Sequence, residues 1–306
     1  MERVANRRIV AVAFAAIYFL WGGTYLAIAL GLQSISPFLL IGSRSLLGGA
    51  ALFVYSFSRG SRRRPWQDWG HAAISGAMLF LGCHGALAYA QRVVPSGLAA
   101  IVLATIPFWM VLTNRAIGQK ETLSKIVALI PGFFGVAVIA WREAVDRSRP
   151  LSLLMIALLL GASLSWALGS IYAQRRAAHI PAEDLAGMQL LCGGLVLLVV
   201  SALAGEWTVF SLQRVTLMSW AALLYLGLLG SALGNTAYLW LLDRYPAPLV
   251  ATYTFVNPVI AVILGVVVLG EHVTSLTLAG SALVLFSVAM LLYLSYGNRP
   301  VHSKAS

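Results

Sequence analysis

Phe19-Leu20-Trp21-Gly22-Gly23-Thr24-Tyr25 and Leu164-Ser165-Trp166-Ala167-Leu168-Gly169-Ser170 decide the reading of this chain, because the second is a loose copy of the first. Their tryptophans lie 145 residues apart. The same offset of 145 sets Gly42-Ser43-Arg44-Ser45-Leu46-Leu47-Gly48-Gly49 beside Gly187-Met188-Gln189-Leu190-Leu191-Cys192-Gly193-Gly194. Further on, Pro95 and Pro107 match Pro246 and Pro258 at 151, and Glu121 matches Glu271 at 150. Agreement in three separate places, to within a small insertion, marks a duplicated unit. A repeat constrains the architecture before any finer signal does.

The units are apolar throughout. Of the 306 residues, 60% are hydrophobic and 10% charged, against about a quarter charged in a soluble domain. Charge gaps and turn residues divide the chain into spans near 9–32, 36–57, 70–92, 94–115, 125–142, 151–173, 184–205, 216–240, 246–269 and 273–296. Each is long enough to cross a hydrocarbon core of ~30 Å as a helix. The short connections carry the expected breakers, among them Pro37, Pro65, Pro95, Pro150, Pro181 and Pro246. The chain therefore reads as an all-α integral membrane protein of ten transmembrane helices, with residues 1–148 and 149–306 as its two repeats. The fifth span, broken by Pro131-Gly132, carries the weakest signal.

Orientation follows from the Lys and Arg residues. With a cytoplasmic N-terminus, 15 fall on the inside and 5 on the outside, and Arg44 alone lies within a span, which accounts for all 21. Positive residues collect on the cytoplasmic side, so both termini are expected there. A five-helix unit is odd, so the second repeat enters the membrane from the opposite face. Two inverted repeats around a central cavity are the design of alternating-access transporters, whose substrate site lies at the repeat interface near the midplane.

Other readings find less support. The net charge of +11 could pair with nucleic-acid phosphates, but the basic residues sit in short loops where they set topology. Cys83 and Cys192 lie alone in apolar spans and fit as small buried hydrophobes. Ile9–Leu32 is too long, and too rich in Tyr18, Trp21 and Tyr25, for a cleaved leader. No metalloprotease, nucleophile-elbow or phosphate-loop motif appears, and no metal site or cofactor is called for. An enzyme or a receptor would need residues or a sensory domain that the sequence lacks.

Trp21-Gly22-Gly23-Thr24-Tyr25, Pro95-Ser96-Gly97-Leu98-Ala99-Ala100, Ser165-Trp166-Ala167-Leu168-Gly169-Ser170, Tyr253-Thr254-Phe255-Val256-Asn257-Pro258 and Gly270-Glu271 occur in the order seen in EamA-type members of the drug/metabolite transporter superfamily. The chain resembles that family over about residues 9–296. The resemblance implies ten helices, cytoplasmic termini, a central cavity and export of amino acids or other small metabolites from the cell, across the inner membrane where there are two. Drugs and organic cations are the alternative substrates. The expected partners are a small-molecule substrate and the lipid bilayer, with the chain a monomer.

Candidate substrate contacts come from polar and aromatic residues at matched depth. Trp21 and Trp166 sit near the centres of the first and sixth spans, away from the interfaces that tryptophan prefers. They line a cavity, offering stacking or cation–π contact, or they pack repeat on repeat. Thr24, Tyr25 and Ser170 follow on nearby faces. Pro107 and Pro258 free the carbonyls of Leu103 and Thr254, with Thr105 and Asn257 placed to satisfy them. Such breaks belong beside a cavity and make hinges, with Trp109 and Tyr253 as neighbours. His84 aligns with Asn235 at offset 151, and Tyr89, Gln91 and Tyr238 are further candidates. Arg44 is matched by Gln189, and an intramembrane cation is a functional suspect by default. Gly161, Ser165 and Gly169, spaced four apart, predict close helix packing.

All ten acidic residues fall in loops, tails or helix ends, and His84 is the one histidine well inside a span. Proton-driven transporters relay protons through embedded Asp, Glu or His. Gln91 stands where many relatives of the family resembled carry an acid. The expectation is therefore facilitative transport, with any proton dependence traced to His84.

Overall fold

In lipid every backbone N–H and C=O must be satisfied within the protein, which leaves apolar spans little choice but helix. The computed structural model describes residues 7–59, 64–119, 122–128, 130–145, 152–245, 250–251, 253–271 and 273–297. Among them no strand occurs. Glu121, Pro246 and the two chain ends, which carried part of the repeat and charge arguments, lie outside the described residues.

The helices are α1 Arg8–Gly31, α2 Pro37–Ser58, α3 Trp66–Ala90 and α4 Ser96–Ala116, then α5 Leu123–Val127 and α6 Ile130–Val145. They continue as α7 Ser152–Arg176, α8 Ala182–Leu203, α9 Leu217–Arg244, α10 Tyr253–Leu269 and α11 Ser275–Gly297. Seven of the described helices are long and apolar enough to cross a membrane. The other three predicted spans coincide with shorter apolar stretches in α5–α6, α10 and α11.

Proline sets several boundaries. Pro37 opens α2, where its missing N–H costs nothing. Pro65, Pro95 and Pro181 each stand in extended backbone immediately before a helix. Pro107 does more. It lies in the first turn of Ile106–Ala116, and α4 breaks at Ala104-Thr105. The Thr105 hydroxyl donates to the Val102 carbonyl at 2.7 Å, not to that of Leu103 as the sequence predicted. Pro258 leaves α10 continuous; the hinge expectation thus has a visible break at one proline only.

Three helices widen to i→i+5 bonding: α1 over Ala16–Leu20, α3 over Ala77–Gly85 and α9 over Tyr225–Leu233. Such turns are rare and recur at functional sites. The major packing pairs join early helices to late ones. α2 lies along α8 and α6 along α11; α3 meets α7, α9 meets α1 and α2, and α10 meets α1 and α4. Ser165 and Gly169 take part, facing the widened turn of α3. Gly161 does not: a Cβ there would meet nothing within 4 Å, so the predicted small-residue stripe is two positions long.

Two Gly-Glu pairs fix helix ends across the fold. Gly205 and Gly270 adopt φ of 73° and 66°, the left-handed geometry that glycine permits without strain. Each turn delivers a glutamate to the N-terminus of a distant helix. Glu206 accepts from the Phe38 and Leu39 amides of α2 at 3.2 and 2.8 Å, and from the Ser201 hydroxyl at 2.8 Å. Glu271 accepts from the Ser96 and Gly97 amides of α4 at 2.7 and 3.2 Å. Both carboxylates answer orphan N–H donors and the positive end of a helix dipole.

Candidate functional site

Trp21 begins the straight part of α1, immediately after its widened turn. Its indole meets Trp166 of α7 edge to face, with ring centroids 5.5 Å apart. Tyr253, at the start of α10, stands edge-on to Trp21 at 4.9 Å, and Tyr238 of α9 lies 5.2 Å from it. Tyr238 also lies 5.5 Å from Trp166. Four helices thus contribute one aromatic side chain each, all buried. Edge-to-face pairs are worth about 0.5–1.5 kcal/mol beyond the area they bury.

Polar bonds fix this cluster. Trp21 Nε1 donates to the Gly230 carbonyl, in the widened turn of α9, at 2.9 Å. The Tyr238 hydroxyl donates to Ser170 Oγ at 2.9 Å, and Ser170 donates in turn to the Trp166 carbonyl at 2.8 Å. Thr24 caps back onto the Trp21 carbonyl at 2.6 Å. With its amide nitrogen turned towards them, Asn257 donates to the Tyr18 and Tyr253 carbonyls at 2.9 and 3.2 Å.

Two small cavities flank Trp21. One, of about 30 Å³, is bordered by Trp21, Tyr25, His84, Trp166, Tyr253 and Asn257, with Cys83 in its wall. The other, of about 10 Å³, is bordered by Trp21, Arg44, Phe80, His84, Ser231 and Asn235. Each holds a water or two at most, and neither admits anything larger. His84 stands between them, its ring 5.2 Å from Trp166.

The second cavity gathers unmatched polarity. Arg44 Nε, His84 Nδ1, Ser231 Oγ and both amide atoms of Asn235 are buried without a hydrogen-bond partner. Arg44 is 2% exposed, and among the described residues no carboxylate pairs with it. In folded proteins most buried polar atoms have a hydrogen-bond partner, and of the unpartnered ones among the described residues these five gather on one cavity while the others are scattered. Such a collection can hold an anionic or amide-like group, and the aromatic rings beside it can cover an apolar or cationic one.

The sequence pattern of the EamA-like transporter family matches residues 8–141 and 153–293 of this chain. The chain belongs to that family. This EamA-like transporter is 32% identical over 281 residues to YedA of Escherichia coli K12, named an uncharacterized inner membrane transporter, with 91% of this chain and 89% of that one covered. It is 28% identical to the uncharacterized transporter YvbV of Bacillus subtilis 168, covering 92% and 90%. It is 26% identical to a Salmonella typhimurium protein named "Probable amino-acid metabolite efflux pump", covering 88% and 90%. A crystal structure of 21% sequence identity shares its fold at a TM-score of 0.69, over 94% of this chain and 99% of the other.

Several residues singled out in the transporter's sequence stand elsewhere. Trp109 lies edge-on to Phe133 at 6.0 Å and borders neither central cavity. Gln189 Nε2 donates to Ser75 Oγ at 2.8 Å, a bond between α8 and α3. Thr105 caps the break in α4. Tyr89 is stacked on Phe38 and 37% exposed. Gln91 Nε2 donates to the Tyr25 carbonyl at 3.1 Å. Ser231 and Phe80 were not anticipated. Ser231 aligns with Phe80 at the 151 offset of its neighbours His84 and Asn235, which is the signal that could have found both.

Proposed function

We propose that this membrane transporter exports small metabolites from the cell by alternating access across the inner membrane, amino acids being the substrate class. Its ten spans would form two inverted five-helix repeats, with both termini in the cytoplasm. The observation that carries the reading is the meeting of Trp21 and Trp166, residues at matched repeat positions, beside a buried and unpaired Arg44. A family pattern that matches both halves of the chain supports the duplication. The relative named for amino-acid metabolite efflux supports the substrate class. On the proposed orientation, a cleft of about 480 Å³ bordered by Gln174, His179, Glu183, Asp243 and Arg244 opens towards the cytoplasm, the side from which an exporter loads. The aromatic cluster also favours a second reading, export of organic cations, since indole and phenol faces attract positive charge.

Purified protein in liposomes decides the matter. Counterflow of radiolabelled amino acids, amines and nucleosides should show exchange for one or more amino acids. Exchange confined to amines would establish the second reading, and no exchange across the whole panel would refute both.

A further inference from the structure

We propose that the Arg44 side of the central site is a carboxylate subsite, in which Arg44 anchors the substrate's carboxylate and Asn235 and Ser231 complete its hydrogen bonds. The inference rests on the transport reading above and specifies what its site selects.

Arg44 is costly where it stands. A cation inside a membrane protein is normally paired or bonded to carbonyls, and burying a charge without compensation is severely unfavourable. Single unpartnered polar atoms occur elsewhere among the described residues, Trp166 Nε1 and Tyr253 Oη among them, but other charged and amide side chains of this fold find internal partners. Arg64 is bonded to Asp184, and Gln189, at the position matched to Arg44, is bonded to Ser75. Arg44 Nε is not, and neither are Ser231 Oγ, His84 Nδ1 or either amide atom of Asn235, all on the same cavity. Four side chains from α2, α3 and α9 therefore converge with their hydrogen-bonding capacity unused.

The donor set defines the ligand. A guanidinium presents a planar fork that fits a carboxylate bidentately. The Asn235 amide nitrogen and the Ser231 hydroxyl add neutral donors, and Asn235 Oδ1 is free to accept from an ammonium. Among the described residues Arg44 is the sole Lys or Arg bordering this cavity, and one cation matches a monoanion better than a phosphate dianion. On the other side of Trp21, the rings of Trp166 and Tyr253 suit an apolar or aromatic body. At about 10 Å³ the cavity must widen to admit a carboxylate, as alternating access requires.

The test is binding, read separately from transport. Thermal stabilisation of the detergent-purified protein would be titrated with each of the twenty amino acids. The tightest would then be compared with its amide, its decarboxylated amine and its des-amino acid. The amide and amine should bind about thirtyfold more weakly or worse, the low end for removing one partner of a buried charged pair. Arg44→Gln and Arg44→Lys should erase that preference while the protein stays monodisperse. If Arg44 variants fail to fold, Ser231→Ala and Asn235→Ala serve instead, weakening the acid more than the amine. Equal binding of the des-amino acid would show that any carboxylate suffices; its loss would show that the ammonium is read as well. Both support the subsite. Amide or amine binding as tight as the acid, or a preference that survives Arg44→Gln, overturns it. Stabilisation and counterflow by amines alone would overturn it while leaving transport intact. No binding and no counterflow at all would remove the transport reading, and this one with it.

Discussion

Trp21 and Trp166 cross at 89°, edge to face, and so join α1 to α7 at the centre of the transporter. Both are buried, and Trp21 is also bonded to Gly230. Trp21→Ala and Trp166→Ala should each abolish most exchange, and each should cost about 3–5 kcal/mol of stability, as large-to-small changes at packed aromatic sites do. Trp21→Phe keeps the ring but loses the bond, at about 1 kcal/mol. It should remain folded and transport at a reduced rate. Counterflow set beside size-exclusion profiles separates the two effects. Wild-type exchange by folded Trp21→Ala and Trp166→Ala would leave the cluster a packing device only.

The caps made by Glu206 and Glu271 give a second expectation. Each carboxylate serves amides of a helix far away in sequence. Glu206→Gln and Glu271→Gln should each lower stability by about 1 kcal/mol, the usual scale for a helix cap. The double variant should sum the two, because the caps share no partner. Melting temperatures of the four proteins in one detergent provide the check.

A tighter constraint acts where α3 meets α7. A Cβ on Gly82 would lie 2.1 Å from Ser165 Oγ, a hydroxyl that donates to the Met78 carbonyl at 2.8 Å. Gly82→Ala should therefore cost about 1–3 kcal/mol by overpacking. Ser165→Ala removes the obstructing oxygen, so the double variant should recover part of that loss. A double-mutant cycle in thermal stability measures the coupling, and simple additivity would show that the helices move apart freely.

How far the sequence could be read depends on the physical signal. The long apolar spans are legible because the bilayer imposes their length; a proline's missing N–H marks where a helix can break, and it does so before Pro107 but not at Pro258. Matched repeat positions single out Trp21 and Trp166, whereas Tyr253 enters as a neighbour of Pro258 and Tyr238 only as a polar residue of its span, so the meeting of all four is visible only in the fold. The widened turns of α1, α3 and α9 leave no such mark, since a shift of one hydrogen-bond partner needs no special residue. That Trp109 meets Phe133 is hidden for a related reason. A helix apolar on every side does not declare which face meets which neighbour. The capping role of Glu206 leaves no local trace because its partner Leu39 lies 167 residues away.

Topology gives a fourth expectation. The positive-inside count predicts that Ser61 faces the cytoplasm and Ser148 the outside; both positions lie outside the described residues. In a cysteine-free background, Ser148→Cys should react with an impermeant maleimide on intact cells, and Ser61→Cys only after lysis. The reverse pattern would invert the transporter and, with it, the direction assigned to the cleft near His179.

Five of the described acidic side chains have work away from the central cavities. Asp184 is held by Arg64, Asp68 pairs with His179 at 2.8 Å, Asp243 faces Arg244 at 3.1 Å, and Glu206 and Glu271 cap helices. Among the described residues no carboxylate borders either central cavity. A proton relay through the membrane commonly uses embedded Asp, Glu or His, and here that leaves His84, which borders both cavities with Nδ1 unpartnered. Transport is therefore expected to be facilitative, running down the substrate gradient. In proteoliposomes, substrate should equilibrate at equal internal and external concentration with no imposed pH gradient or membrane potential. Any stimulation by a pH gradient should vanish in His84→Ala while exchange persists. Accumulation driven by a pH gradient in the His84→Ala protein would show that protons cross by a route this centre does not contain.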